Sequence, residues 1–176
     1  VRARETPRIA TSGQLTIGEK PVPPMPPRLE IEKVPPCISS GLSFCARADG
    51  EVLATGRHRF RFLSTPHLPH GWDSGFLFEE TEATLFSSDL LHQGGDVEPV
   101  TGADLIDRVR ATLIAYQAGP LMDYLPWTPK TGSHIEALAA LRPRTIAAMH
   151  GSTFVGDGAQ ALRELGAVLR EVFGER

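Results

Sequence analysis

The sequence predicts an α/β domain, because strand-forming runs crowd its first half and amphipathic helical stretches alternate with a short apolar strand in its second. Four runs carry the strand reading: EVLAT at 51–55, RHRFRFL at 57–63, FLFEE at 76–80 and ATLFSSD at 83–89. They are short, rich in Val, Leu, Phe and Thr, and set off by the turn residues Asp49-Gly50, Gly56 and Thr81-Glu82. Strands this close in sequence pair as neighbours, which predicts an antiparallel or mixed sheet.

The helices follow from periodicity. Thr101-x-x-Asp104 resembles a capping box with Asp in place of Glu, and Leu105, Ile106, Val109, Leu113 and Ile114 then fall on one helical face up to Gly119. PLMDYLPWTP is punctuated by proline and reads as a loop. Ser133-x-x-Glu136 predicts the cap of a second helix running through Leu141, and TIAAM at 145–149 is a short buried strand ending at His150. Asp157 or Gly158 opens a third helix, whose Leu162, Leu165, Val168, Leu169 and Val172 form one apolar stripe before Gly174.

Residues 1–36 differ in composition from the rest. They hold eight of the fifteen prolines, including PVPPMPPR, and no sustained apolar period. They read as an arm or linker, and 37–176 as the globular domain. With 176 residues in all, one domain is expected. The chain begins with Val, which raises the expectation of a fragment or a processed product.

Charge and composition narrow the function classes. A net charge of −3 and a pI near 6.1, with basic residues spread rather than clustered, disfavour a nucleic-acid or anionic-membrane partner. No apolar run approaches the roughly 18 residues of a membrane span, and VRARETPR lacks the apolar stretch of a secretory signal, so a cytoplasmic protein is expected. Cys37 and Cys45 are too far apart for a zinc knuckle and read as ordinary buried thiols.

The chemistry lies between Phe60 and Gly95 and at His150. Asp89 ends a hydrophobic strand, where an ionised carboxylate loses its hydration unless a cation or hydrogen-bond donors replace it. His70 sits in a loop shaped by proline and glycine, and His150 ends a strand before Gly151-Ser152. All three therefore belong where strands emerge from a sheet, the rigid platform on which sites are built. Two imidazoles and one carboxylate form an N/O set suited to zinc or iron. His67 reads as a loop-stiffening residue or an outer partner of His70, and Asp73 and Ser74 as turn residues. His92 reads as a solvated histidine after a strand. Trp72 and Trp127 read as packing anchors, His58 as facing away from the site and His134 as exposed at a helix start. Neither a Gly-rich phosphate loop nor a G-x-S-x-G elbow is present.

The order of a strand, TPHLPHGWDSG, a hairpin, LFSSDL and, much later, AAMHGS resembles the second half of a metallo-β-lactamase-fold protein. Within that superfamily HGWDS is most similar to the oxygen-binding diiron, flavodiiron-like branch. The resemblance covers residues 37–173 and implies an αββα sandwich, of which this would be the second half. It implies that His70, Asp89 and His150 are metal ligands, with Asp89 bridging two metals. The superfamily's first ligand cluster, His-x-His/Glu-x-Asp-His, has no counterpart, since no histidine precedes His58. The implied function is a metal-dependent hydrolase or a diiron oxidoreductase-like protein acting on a small molecule, truncated or with an incomplete and metal-poor site. The alternative is a non-catalytic pseudoenzyme scaffold or an interaction protein. A half-sandwich leaves a sheet face uncovered, so a homodimer is expected, or cover by the N-terminal arm.

Overall fold

The computed structural model describes residues 48–174. The arm at 1–36, Cys37 and Cys45 lie outside them. The described chain runs β1 (Val52–Thr55), β2 (His58–Ser64), β3 (Gly75–Glu79), β4 (Thr84–Ser88), β5 (Val100–Thr101), α1 (Ile106–Gln117), α2 (Thr131–Ala140), β6 (Thr145–Ala148), β7 (Thr153–Val155) and α3 (Gly158–Phe173). The strands form one seven-stranded mixed sheet in the order β1-β2-β3-β4-β6-β7-β5.

The first four strands pair in sequence order and antiparallel, as their short connections require. In the β3–β4 turn the Glu79 carboxylate accepts the backbone N–H of Thr81 at 3.0 Å and of Glu82 at 2.6 Å, and His58 Nδ1 lies 3.1 Å from it. A buried carboxylate is thus satisfied within its own turn, on the side of β2 that the sequence placed away from the site. β6 then joins β4 in parallel through the long helical crossover. β5 and β7, two and three residues long, complete the far edge and carry no readable period of their own.

Alternation along β3 shows which face is covered. Phe76 and Phe78 are buried while Leu77 between them is 42% exposed. Phe76, Phe78, Leu85, Ile146 and Phe154 form one core with Val109 and Leu113 of α1, Ile135 and Leu138 of α2, and Leu162, Leu165 and Leu169 of α3. On the opposite face Leu77 and Phe86 stand opposite each other in register and are exposed, as are Leu53 and Val155. The described residues therefore make one sheet with its helical layer.

Three local expectations are corrected. Thr101 and Asp104 do not form a capping box: Thr101 Oγ1 accepts from Ala103 N–H at 3.1 Å and Asp104 Oδ1 from Ile106 N–H at 2.9 Å, each closing a tight turn of its own. Ile114 is 51% exposed, because the buried stripe of α1 follows Leu105, Val109 and Leu113 and then reaches half-buried Tyr116. α2 begins at Thr131, two residues before Ser133, because Thr128 and Thr131 already tie the turn: Thr131 Oγ1 accepts Thr128 N–H at 2.9 Å and Thr128 Oγ1 accepts Lys130 N–H at 3.2 Å. α3 matches its expectation: the Asp157 carboxylate caps Gln160 N–H at 3.0 Å and the chain leaves the helix at Gly174.

Candidate metal centre

The end of β4 is shaped to present Asp89. The β4–β6 register slips between Phe86 and Ser88, and Ser88 adopts a φ of 48°. Leu90 N–H then donates to Ser87 O at 2.9 Å and His92 N–H to Asp89 O at 3.3 Å, so the chain turns at once. Leu90 and Leu91 drop fully into the core, leaving Asp89 at the rim. Met149 N–H donates to Ser88 O at 2.7 Å, which carries the end of β6 alongside and sets His150 next to Asp89. His70 arrives from the 65–74 loop, closed by Thr65 N–H to Ser74 O at 2.9 Å and His67 N–H to Trp72 O at 3.0 Å. The buried Leu68 anchors that loop, and exposed His67 serves it through its backbone at a φ of 67°.

These three side chains meet. His70 Nε2 lies 2.8 Å from Asp89 Oδ2, and His150 Nε2 lies 3.2 Å from Asp89 Oδ1. One imidazole thus stands at each oxygen of the carboxylate. The His70 and Asp89 side chains are 13% and 14% exposed and that of His150 is 53% exposed, so the cluster opens towards solvent on the His150 side.

A ring of aromatic groups surrounds the cluster, and most of it was not foreseen. His92, expected to be solvated, is half-buried: its ring lies 4.7 Å from that of His150, and its Nε2 is 2.8 Å from Tyr116 Oη. The reason is a clamp one residue further on. Gln93 N–H donates to His150 O at 2.8 Å, and the buried Gln93 side chain bonds the backbone of Ser152, fastening the 89–93 turn to the 150–152 loop. Tyr124 places its ring edge-on to His70 at 5.0 Å, and Tyr116 stands 5.9 Å from Tyr124. Trp72 stacks on His70 at 4.4 Å and 18° while remaining 62% exposed, which corrects its reading as a packing anchor. Trp127 does pack against the core. Tyr116 could have been found by extending the α1 stripe from Val109 and Leu113; Tyr124 had no comparable signal.

The electrostatics follow from this enclosure. Burial, aided by the charge of His150 and opposed by that of Asp89, holds His92 below the ordinary histidine value. Burial, then the Asp89 charge and hydrogen bonding to it, pushes the Tyr124 phenol well up. Three buried polar atoms of the cluster lack a hydrogen-bond partner: His70 Nδ1, Asp89 Oδ1 and His92 Nδ1. An N/O donor set with orphaned atoms concentrated at one point fits a cation. Among the described residues, however, no group of three or more His, Cys, Asp or Glu side chains is gathered around one point that could hold a metal ion. His70 Nε2 and Asp89 Oδ2 are instead hydrogen-bonded to each other.

The remaining candidates lie elsewhere. Asp73 is exposed, and the Ser74 hydroxyl donates to Trp72 O at 3.4 Å. His134, expected to be exposed, is half-buried at the start of α2, and its Nε2 is buried without a partner. Among the described residues no helix is long and apolar enough to cross a membrane.

No family model matches the sequence, and no curated protein does so. Solved structures do match the fold. The flavodiiron protein from Giardia intestinalis matches at a TM-score of 0.54 and 20% identity, over 71% of this chain and 30% of its own. The rubredoxin oxygen:oxidoreductase from Desulfovibrio gigas matches at 0.53 and 24%, over 67% of this chain and 30% of its own. The apo state of the chemotaxis sensor ODP from T. denticola matches at 0.50 and 18%, over 67% of this chain and 48% of its own. The chain spans less than half the length of each, and it has part of the fold of the flavodiiron proteins.

Proposed function

We propose that this chain is the ligand-bearing part of an iron-dependent, oxidoreductase-like protein, with His70, Asp89 and His150 as iron ligands and Asp89 as the bridging carboxylate. The observation that carries this reading is the placement of one imidazole at each Asp89 oxygen, 2.8 Å and 3.2 Å away. A carboxylate that spans two metals offers one oxygen to each, and each oxygen here already has its own histidine beside it. Iron bound there would supply redox chemistry towards a small oxidant such as dioxygen or nitric oxide.

The chain's own residues set the conditions. The low exposure of Asp89 and His70 keeps charge interactions strong, because little water screens them. Trp72 and Tyr124 fix the plane of the His70 ring, so its Nε2 stays aimed at Asp89. The exposed side of His150 leaves an entry for a small molecule. The superfamily's first ligand cluster is not among these 176 residues, so a complete two-iron shell would need ligands from outside them.

A second reading, a non-catalytic scaffold, rests on the His70–Asp89 hydrogen bond, which satisfies Asp89 Oδ2 and His70 Nε2 without metal. Elemental analysis of the full chain after anaerobic loading with ferrous iron separates the two. Iron retained by the wild type and lost from His70→Ala and His150→Ala supports the iron reading, with oxygen uptake in the presence of a reductant as its catalytic test. A folded chain that holds no iron favours the scaffold, or a fragment that lacks part of its ligand set. Tight binding of zinc with ester hydrolysis would restore the hydrolase expectation instead.

A further inference from the structure

We propose that His92 ligates through Nδ1, giving the Asp89 centre a third imidazole supplied by this chain, and that Tyr116 is the positioning residue that orients it. The inference rests on the iron reading and deepens it, because it names a donor that neither the superfamily resemblance nor the sequence pattern provides.

Four observations converge on His92. Its Nδ1 is buried and lacks a hydrogen-bond partner, in the same cluster as the equally orphaned Asp89 Oδ1. Such an atom is costly when nothing satisfies it, so a histidine with only a packing role would be better replaced by an apolar side chain. Its other nitrogen, Nε2, is 2.8 Å from Tyr116 Oη. Metal-binding histidines are held in this way, with the non-ligating ring N–H donated to an oxygen so that tautomer and ring plane are fixed. Its ring centroid is 4.7 Å from that of His150. The two ring planes lie 28° apart, so the imidazoles stand side by side.

The fourth observation is that the backbone holds His92 in place. His92 N–H donates to Asp89 O at 3.3 Å, and Gln93 beside it is fastened to His150 and Ser152. Gly151 belongs to this fastening: at a φ of 131° it lies where a Cβ would come within 2.8 Å of the Gln93 amide. Asp89, His92 and His150 are therefore carried by two segments locked to each other. With His70 they give this chain three imidazoles and one carboxylate, a donor set of the kind iron takes. The described rings do not yet surround one point. Ligation therefore requires these side chains to turn on the locked backbone, exchanging the His70–Asp89 hydrogen bond for bonds to the ion.

The test uses the full chain and cobalt(II), whose visible absorption reports the number and type of its ligands, with ferrous iron as competitor. His92→Gln should weaken cobalt binding about tenfold or more and alter the spectrum, and Tyr116→Phe should weaken it by less and leave the spectrum's form unchanged. Circular dichroism checks that both variants fold. Should His92→Gln not fold, the wild type answers: hyperfine-shifted ring resonances from three histidines support the proposal and from two overturn it. Wild-type affinity and spectrum in His92→Gln, alongside loss of binding in His70→Ala, would overturn it while leaving the iron reading intact. A wild-type chain that binds neither ion would overturn both.

Discussion

Gln93 and Ser152 hold each other through a reciprocal pair: the Gln93 Nε2 donates to Ser152 O and the Ser152 backbone N–H donates to Gln93 Oε1, each at 3.4 Å. The two residues are 59 apart in sequence and both are buried, 3% and 0% exposed. Through them the turn that carries Asp89 and His92 and the loop that carries His150 become one unit. The centre therefore depends on a residue whose side-chain hydrogen bonds go to Leu91 and Ser152, neither of them a candidate ligand.

Replacing Gln93 tests that dependence. Gln93→Ala strands the Ser152 N–H and the Leu91 and Ser152 carbonyls in a buried setting and should cost about 1–3 kcal/mol in urea denaturation. Gly151→Ala should also destabilise, since its methyl group would meet the Gln93 side chain. In the double variant the two losses should sum to more than is measured, because removing Gln93 removes the clash. Strict additivity would mean that the clamp does not join the two segments.

Glu79 predicts an acid-limb effect. Burial, the largest influence, raises its carboxyl, but the N–H groups of Glu82 and Thr81, the Thr81 side chain and His58 outweigh it and bring it down to about 2. A carboxyl depressed by folding contributes stability that is fully present above its unfolded value near 4.5 and is lost as pH falls towards 2. Glu79→Gln should therefore lower the melting temperature at pH 7 and flatten its dependence on pH between about 4.5 and 2. Some slope should persist, because Arg108 holds Glu98 down to about 2 as well. An unchanged slope would show that the turn, not the charge, carries the stability.

The sequence was legible where one segment's period decided the outcome. β1 to β4 and α3 read directly, since alternation and a 3.6-residue stripe need no knowledge of the partner. The meeting of His70, Asp89 and His150 was readable because each sits where a strand ends. What escaped depends on packing between distant segments. β5 and β7 exist only because they pair with each other at the sheet edge. His92 looks solvated until Gln93 binds His150 and α1 delivers Tyr116, 24 residues on. The caps failed for a subtler reason: Thr101, Asp104 and Ser133 have capping chemistry, but nearer partners took their hydrogen bonds.

Tyr124 predicts an alkaline effect of opposite sense. Burial first, then the charge of Asp89 and hydrogen bonding to it, push its phenol well above the usual value near 10. A group whose folded value is raised contributes stability that is complete below its unfolded value and is lost as pH climbs beyond it. The chain has two tyrosines, so ultraviolet titration of the folded protein should show a late ionising phenol. Tyr124→Phe should abolish that late step and reduce the loss of stability above pH 10. Persistence of the late step in Tyr124→Phe would assign it to Tyr116 and remove Tyr124 from contact with Asp89.

Trp72 offers a direct optical reading of the centre. Its indole stacks on the His70 ring at a centroid distance of 4.4 Å, so an open-shell ion bound by His70 would sit within about one further ring's width of the fluorophore. Ferrous iron or cobalt(II) at that range quenches indole emission, whereas Trp127, packed against the core, should respond weakly. Because Trp72 is 62% exposed, its emission should also be red-shifted relative to that of Trp127, which separates the two signals. Titration of the wild type should quench the red component saturably, Trp127→Phe should retain that quenching, and Trp72→Phe should lose it. His70→Ala should leave the red component unquenched at the same metal concentration. Quenching that survives in His70→Ala would place the bound ion away from His70 and count against its role as a ligand.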